Sequence, residues 1–293
     1  MFVTSGQSMN VIYSDVCKAI TLAPIVSARG LTTQEVIEAH IVLFNPRNSI
    51  VTLTERHLDM RYCLGELCYF LDGRTDLASI YAYSKFWAKV SDDGKTVNSA
   101  YGHRLFYIKN NHGLRQLEYA IDVLMDDPYS RKAVMPIYNM HDAHESKDNP
   151  CTMFVQFLIR GSSLECHVTM RSNDVWLGLP YDVSFFTLVQ QIAYTKLKAK
   201  YPDLKLGWYF HNVTSLHAYE KDWVGVSQCA VAQTREVALD PVPALTDVDI
   251  DTWFNNLLTF EKAQRGCGLF KNVDKSTAFQ DWGKAHLTNS SKA

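Results

Sequence analysis

The sequence predicts an α+β fold built around one long helix, and three observations carry that prediction. Runs rich in β-branched and aromatic residues gather at 133–138, 153–159, 164–170 and 206–213, the composition of strands. Helical patterns flank these runs and do not alternate with them one for one, which argues against a doubly wound parallel sheet. Residues 184–200 keep a continuous apolar face, as a central helix does.

In chain order, 31–43 (LTTQEVIEAHIVL) reads as a helix opened by a threonine cap, with Glu35 in its first turns. Residues 56–71 carry apolar side chains at mixed spacing and suit a mostly buried helix. Residues 112–125 (HGLRQLEYAIDVLM) are amphipathic and stop before the turn at Asp126-Asp127-Pro128-Tyr129. The strands at 133–138, 153–159 and 164–170 follow, then the helix at 184–200 and a last strand at 206–213. No internal repeat, low-complexity tract or Pro/Gly-rich linker interrupts the chain, so a single domain over 1–293 is expected.

With 293 residues, 47% of them hydrophobic, the chain can bury a sizeable core. A formal net charge of −2 supplies no general basic field, so direct nucleic-acid binding is not expected and any phosphate recognition should be local. The N-terminus lacks a basic segment followed by an apolar one, and no apolar run is long enough to span a membrane. The seven cysteines, at 17, 63, 68, 151, 166, 229 and 267, are odd in number and lack paired zinc spacing. Free thiols in a reducing cytoplasm are expected.

The densest chemistry lies in 149–191, NPCTMFVQFLIRGSSLECHVTMRSNDVWLGLPYDVSFFTLVQQ. Cys151 follows Pro150 and opens a strand, a position from which a thiolate can act as nucleophile. Cys63, Cys68 and Cys166 lie in apolar periodic segments and read as core. Downstream of Cys151 the polar run Arg171-Ser172-Asn173-Asp174 leads through Leu177-Gly178 to Asp182. Glu66 sits in the apolar stretch LGELCYFL, where burial would raise its pKa and suit it to acid–base work. His217 and Tyr219 stand two apart on an extended segment and share one face. His141, His144 and Cys151 have donor types suited to zinc, but the two histidines lie in the polar loop HDAHESKDN, and no metal is assigned.

Several of these stretches recur, in order, in one family. They are NPRNSIVTL around Arg47, GELCYFLDGRTDLASI at 65–80, Trp87 with NSAYG at 98–102, DPYSRKAV at 127–134, the 149–191 segment, and NVTSLHAYEKDW at 212–223. Over about residues 35–245 the chain resembles the thymidylate synthase family, nearest the phage-type deoxycytidylate 5-hydroxymethylase branch. That resemblance implies a mixed sheet packed against a long central helix, and a homodimer formed through the sheet. It implies that Cys151 adds to C6 of a pyrimidine nucleoside monophosphate, and that C5 then takes the methylene of 5,10-methylenetetrahydrofolate. Arg171 and Ser172 would clamp the phosphate with Arg47 as a third member, and Arg131 and Lys132 would be donated by the second subunit. Lys132 stands where the family has arginine; it keeps the charge and loses the bidentate fork. Asn173 and Tyr101 would contact the nucleotide, and His217 and Tyr219 the sugar 3′-hydroxyl. Glu66 would act on the base through ordered water. Trp87, Asp174, Leu177 and Gly178 would line the folate site, although Leu177 equally suits the core.

Asp182 chooses the base in this reading. Synthases carry asparagine there, which matches the O4 acceptor and N3–H donor of uracil; a carboxyl group matches the amino donor and N3 acceptor of cytosine. The same side chain also suits a cap for the helix beginning near Ser184. Thr152 replaces the histidine that follows the nucleophile in synthases, and Val90 replaces a second tryptophan. Both departures agree with the hydroxymethylase branch, in which water and not hydride completes the reaction. A phage source, a host-cytoplasmic location and a role in DNA modification would follow. The alternatives are a folate-dependent C5 methyltransferase on dCMP or dUMP, and a catalytically idle nucleotide-binding relative. Residues 1–30 and the C-terminal extension 246–293 are left without a role.

Overall fold

The computed structural model describes residues 1–28, 30–234 and 250–266. β1 (Phe2–Gly6) enters α1 (Met9–Thr21), whose cap is the Ser8 hydroxyl accepting from the Asn10 N–H at 3.2 Å. β2 (Ile25–Ala28) and β3 (Leu31–Leu43) form an antiparallel hairpin. α2 (Met60–Leu71) opens where the Asp59 carboxylate accepts from the Tyr62 N–H at 3.1 Å. The short helices α3 (Leu77–Tyr81), α4 (Trp87–Val90) and α5 (Tyr101–Phe106) lead to α6 (Gln116–Asp126). β4 (Val134–Pro136), β5 (Thr152–Arg160) and β6 (Ser163–Asp174) precede the long α7 (Leu179–Lys198), followed by β7 (Lys205–Tyr219), α8 (Trp223–Ala230) and α9 (Ile250–Gly266).

The strands form one sheet in the order β1-β3-β7-β6-β5-β4, with β2 added on β3. β1–β3 and β6–β7 pair in parallel and the other pairs are antiparallel, giving the mixed sheet of the expected α+β fold. Along β6, Leu164, Cys166, Val168 and Met170 are buried and alternate with half-buried residues, the period-2 pattern of a strand with one face on the core. α7 is buried over most of its length. It is tied to the sheet by the Gln190 amide, which donates to the carbonyls of Leu164 (3.0 Å) and Gly207 (3.1 Å).

Residues 31–43 are a strand, not the helix their sequence suggests. Val36, Ala39, His40 and Leu43 fall at helical spacing, but the buried residues at the end of the segment are Ala39, Ile41 and Leu43, which alternate. Glu38 sits at a φ of 58°, a conformation rare for a residue with a side chain. It breaks the alternation locally while the ladder to β7 keeps one register on both sides, Ile37 opposite Ser215 and Ala39 opposite Val213. Other boundaries move by a few residues. α2 begins at its Asp59 cap and not at Arg56, α6 begins at Gln116, and α7 begins at Leu179, five residues ahead of the expected start.

Contacts gather the described residues into two compact units whose segments alternate along the chain. The first comprises Met1–His57, Tyr119–Tyr138 and the described part of Cys151–Pro241, and holds the whole sheet. The second comprises Leu58–Glu118, Asn139–Pro150 and the described part of Val242–Ala293. Within the second, α9 is bound to the end of α2 by charge. Glu261, fully buried, accepts from Arg74 at 2.6 Å and from the Tyr83 hydroxyl at 2.6 Å, and Asp72 bonds both Arg74 (2.7 Å) and Lys262 (2.9 Å). Removing one member of such a buried pair strands the other. Glu261→Ala is therefore expected to cost about 3 kcal/mol, read as a lower urea midpoint.

Candidate active site

Cys151 stands immediately before β5, half-buried, and its carbonyl accepts from the Arg171 N–H at 2.9 Å. This bond fixes the Cys151 backbone beside the last residues of β6, where Arg171 is exposed and Ser172 half-buried. The parallel register then places Ser172 opposite Ser215 and Asp174 opposite His217. His217 and Tyr219 stand together at the end of β7, ring centroids 5.3 Å apart and nearly perpendicular. One end of the sheet therefore gathers Cys151, Arg171, Ser172, Asn173, Asp174, His217 and Tyr219 in the first unit.

The turn from β6 into α7 completes the group. Asp174 accepts from the N–H groups of Trp176 (2.7 Å) and Leu177 (2.9 Å) through one oxygen. Its other oxygen, Oδ2, is buried without a hydrogen-bond partner among the described residues. Burial pushes its pKa up, opposed by those N–H bonds and by the nearby His217. Leu177 keeps about a third of its surface, 36%, so it belongs to the surface of the turn and not to the core. Gly178 caps α7, and a Cβ there would lie 2.7 Å from the Asn173 amide nitrogen and 3.1 Å from Asp182 Oδ2. Gly178→Ala is expected to wedge these two side chains apart, costing about 1–3 kcal/mol of stability. Activity should fall further than stability does, which kinetics on the folded variant will show.

Asp182 lies in the first turn of α7, with Gly178 and not Asp182 at the cap. Asn173 Nδ2 donates to Asp182 Oδ2 at 2.8 Å, and Oδ1 has no hydrogen-bond partner among the described residues. The residue keeps some exposed surface, yet its carboxyl lies deep. Burial, with Asp174 adding to it against the Asn173 bond, pushes its pKa up to about 7. A carboxyl poised at that value can offer either a proton or a charge.

Sequence reasoning missed the supports of this turn. Arg56, almost fully buried, donates to the Trp176 carbonyl at 2.6 Å and lies 4.3 Å from the Trp176 ring centroid. Tyr13 donates to the Val175 carbonyl at 3.1 Å. Both come from segments distant in sequence, and neither carries a motif. Also missed were Tyr209 and His211, which lie behind Asn173 and whose even spacing on a strand was the available signal.

Three expected residues of the first unit do not join this group. Arg47 follows β3, whose last residue Leu43 faces Tyr209, eight residues before His217 on β7. At about 3.3 Å per residue this puts roughly 26 Å of strand between the end of β3 and His217. Arg131 and Lys132 are exposed on the turn before β4, with the Arg131 carbonyl accepting from Gln156 at 3.0 Å.

Within the second unit, Glu66 is buried on α2 and its carboxylate accepts from the Tyr62 hydroxyl, which in turn accepts from the Trp87 indole N–H at 3.2 Å. Tyr101 stacks on Phe70 at 5.5 Å between centroids. A Cβ on the neighbouring Gly102 would come 1.8 Å from the Phe70 carbonyl oxygen, which explains the glycine of the NSAYG element. Among the described residues no cluster of three or more His, Cys, Asp or Glu could hold a metal ion. Nor is any helix among them long and apolar enough to cross a membrane.

The sequence model of the family described as thymidylate synthase matches residues 12–257. The deoxyuridylate hydroxymethyltransferase of Bacillus phage SP01 is 26% identical over 273 residues, covering 84% of this chain and 70% of that protein. Among solved structures, the thermostable thymidylate synthase A from Bacillus subtilis superposes with a TM-score of 0.63 at 20% identity, over 77% of this chain and 85% of that one. The latter likeness is one of fold. The chain therefore belongs to the thymidylate synthase family and is a folate-dependent one-carbon transferase.

Proposed function

We propose that this chain is a deoxycytidylate 5-hydroxymethylase. The observation that carries this reading is Asp182, a deep carboxyl whose pKa of about 7 lets it donate to N3 of cytosine through one oxygen while the other accepts from the 4-amino group. The Cys151 thiolate adds to C6 and makes C5 nucleophilic. The folate supplies the one-carbon unit, and water then completes the hydroxymethyl group. Thr152, beside the nucleophile, keeps a fully buried hydroxyl without a hydrogen-bond partner among the described residues, the kind of group that anchors an ordered water. The name of the phage SP01 relative supports the hydroxymethyl outcome and makes deoxyuridylate the competing substrate.

Arg171 and Ser172 hold the phosphate in this reading, Asn173 supports the base contact, and His217 and Tyr219 take the 3′-hydroxyl. The residues suit a reduced folate. The partnerless Asp174 Oδ2 is a buried acceptor for a pterin N–H, beside the exposed Leu177. Glu66 serves as the acid–base group, and Trp87 and Tyr101 contact folate and nucleotide. Arg131 and Lys132 act across a homodimer. In support, the sheet presents an aromatic face, with His167 stacked on Phe210 at 4.3 Å and Trp208 49% exposed. If the sites are shared, an Arg131→Ala/Lys132→Ala protein mixed with a Cys151→Ala protein, each inactive alone, should regain about a quarter of wild-type activity through hybrid dimers with one intact site. Failure to regain any would rule out a site shared across the dimer.

The test of function is a product assay with dCMP and dUMP in parallel, each with methylenetetrahydrofolate, read by mass spectrometry. A 5-hydroxymethyl product from dCMP supports the proposal. A 5-methyl product with dihydrofolate, or preference for dUMP, overturns the branch.

A further inference from the structure

Behind Asp182 lies a closed line of polar side chains in an otherwise apolar core. Tyr209 and His211, both fully buried, share the inward face of β7. The Tyr209 hydroxyl is 2.8 Å from His211 Nδ1, His211 Nε2 is 3.0 Å from Asn173 Oδ1, and Asn173 Nδ2 is 2.8 Å from Asp182 Oδ2. These bonds form a single line, and among the described residues Tyr209 and His211 have no other side-chain hydrogen bonds.

The direction of the line follows from the donors available. An amide oxygen only accepts, so His211 must carry its hydrogen on Nε2; a neutral imidazole then accepts at Nδ1, and the phenol donates to it. The imidazole is kept neutral by burial, which pushes its pKa down to about 3, and burial likewise keeps the phenol protonated. Reversing the line would turn the Asn173 amide over and leave the buried Tyr209 hydroxyl with no acceptor among the described residues, a costly arrangement. Tyr209 is thus an end stop that forces Asn173 to present N–H, and never C=O, to Asp182.

We infer that Tyr209 and His211 are positioning residues that fix Asp182 Oδ2 as the acceptor and leave Oδ1 to carry the proton, and that this fixed polarity sets how sharply the enzyme separates cytosine from uracil nucleotides. The inference rests on the reading of Asp182 as the base contact. Cytosine offers an acceptor at N3 and a donor at C4, and uracil offers the reverse. A carboxyl with one fixed acceptor and one fixed donor matches one base and opposes the other. A carboxyl free to exchange the two roles accepts both.

The test compares Tyr209→Phe and His211→Leu with the wild-type enzyme, measuring kcat/KM for dCMP and dUMP and the nitrogen spectrum of His211 in ligand-free, 15N-labelled protein. The ratio between the two nucleotides is expected to move toward one by about tenfold in His211→Leu and about threefold in Tyr209→Phe, because discrimination by buried hydrogen bonds is lost with their direction. The wild-type spectrum should show the Nε2–H tautomer, and Tyr209→Phe a mixture of the two. A purely structural role lowers both nucleotides equally, so an unchanged ratio overturns the inference, as does an Nδ1–H tautomer in the wild type. Tyr209→Phe removes one oxygen and carries the test alone if His211→Leu does not fold. A wild type that prefers dUMP overturns only the cytosine reading, since the ratio still reports on the relay. A wild type that turns over neither nucleotide overturns both.

Discussion

Replacing Cys151 with alanine should abolish product formation, a loss on the order of a thousandfold or more, while nucleotide binding survives. The side chain is half-buried at the mouth of β5, and the backbone bond that fixes it, from the Arg171 N–H to the Cys151 carbonyl, does not involve sulfur. The variant should therefore keep that bond and fold, and Arg171, Ser172, His217 and Tyr219 should still bind the nucleotide. Calorimetry with dCMP and a rapid-quench assay separate the two effects. A variant that keeps turnover would remove Cys151 as the nucleophile and revive the reading of an idle binding protein. One that loses binding as well would mean that the thiol positions the nucleotide.

Asp182→Asn should have the second largest effect, in two separable ways. Its carboxyl has a pKa of about 7 in the folded protein against about 3.9 in an unfolded chain. A carboxyl raised in this way binds its proton more tightly when folded. The associated stability is complete below the unfolded pKa and is lost as pH rises through about 7. Between about pH 5.5 and about pH 8.5 the wild type should lose about 2 kcal/mol from this group alone. Asparagine does not titrate and still accepts from Asn173, so Asp182→Asn should gain on the wild type by that amount as pH rises, seen in urea melts at the two pH values. The second effect is on the base. Held by the Asn173 N–H, the new amide oxygen takes the place of Oδ2 and its N–H the place of the Oδ1 proton, so dCMP should stay preferred and its kcat/KM should no longer change with pH near 7. In the wild type, kcat/KM for dCMP should decline above about pH 7, where the carboxyl proton is lost.

The central strands could be read from sequence because their physics is local. In β5 and β6, Val155, Phe157 and Ile159, and Leu164, Cys166, Val168 and Met170, alternate as buried residues, with Cys151 just before the first strand and residues 171–174 ending the second. β3 was misread because one residue, Glu38, adopts a positive φ and the segment's apolar residues coincide with helical spacing. α1 was legible and overlooked. Ser8 caps it, and Met9, Ile12, Tyr13, Val16, Cys17 and Ile20 form an uninterrupted helical stripe. Long-range supports could not be read. Nothing near Arg56 announces a carbonyl 120 residues away, and a buried Glu261 is indistinguishable in sequence from a solvated one. Arg47 stands apart from the group for a related reason. A phosphate motif in sequence says nothing about which end of a strand it follows, and the register of β3 on β7 decides that.

The contact between Arg74 and Glu261 spans 187 positions of chain, and this separation has a consequence for biosynthesis. A ribosome finishes α2 long before it reaches α9, so each nascent chain carries a guanidinium that will be enclosed only when the last described helix arrives. Until then Asp72 is the partner at hand, and the bond from the Tyr83 hydroxyl to Glu261 is still to form. Closure of the second unit is thus a late event, controlled by synthesis reaching Glu261 and not by local propensity. A product that stops short of residue 261 should remain open to proteases, so that a cell clears incomplete copies before they compete for nucleotide.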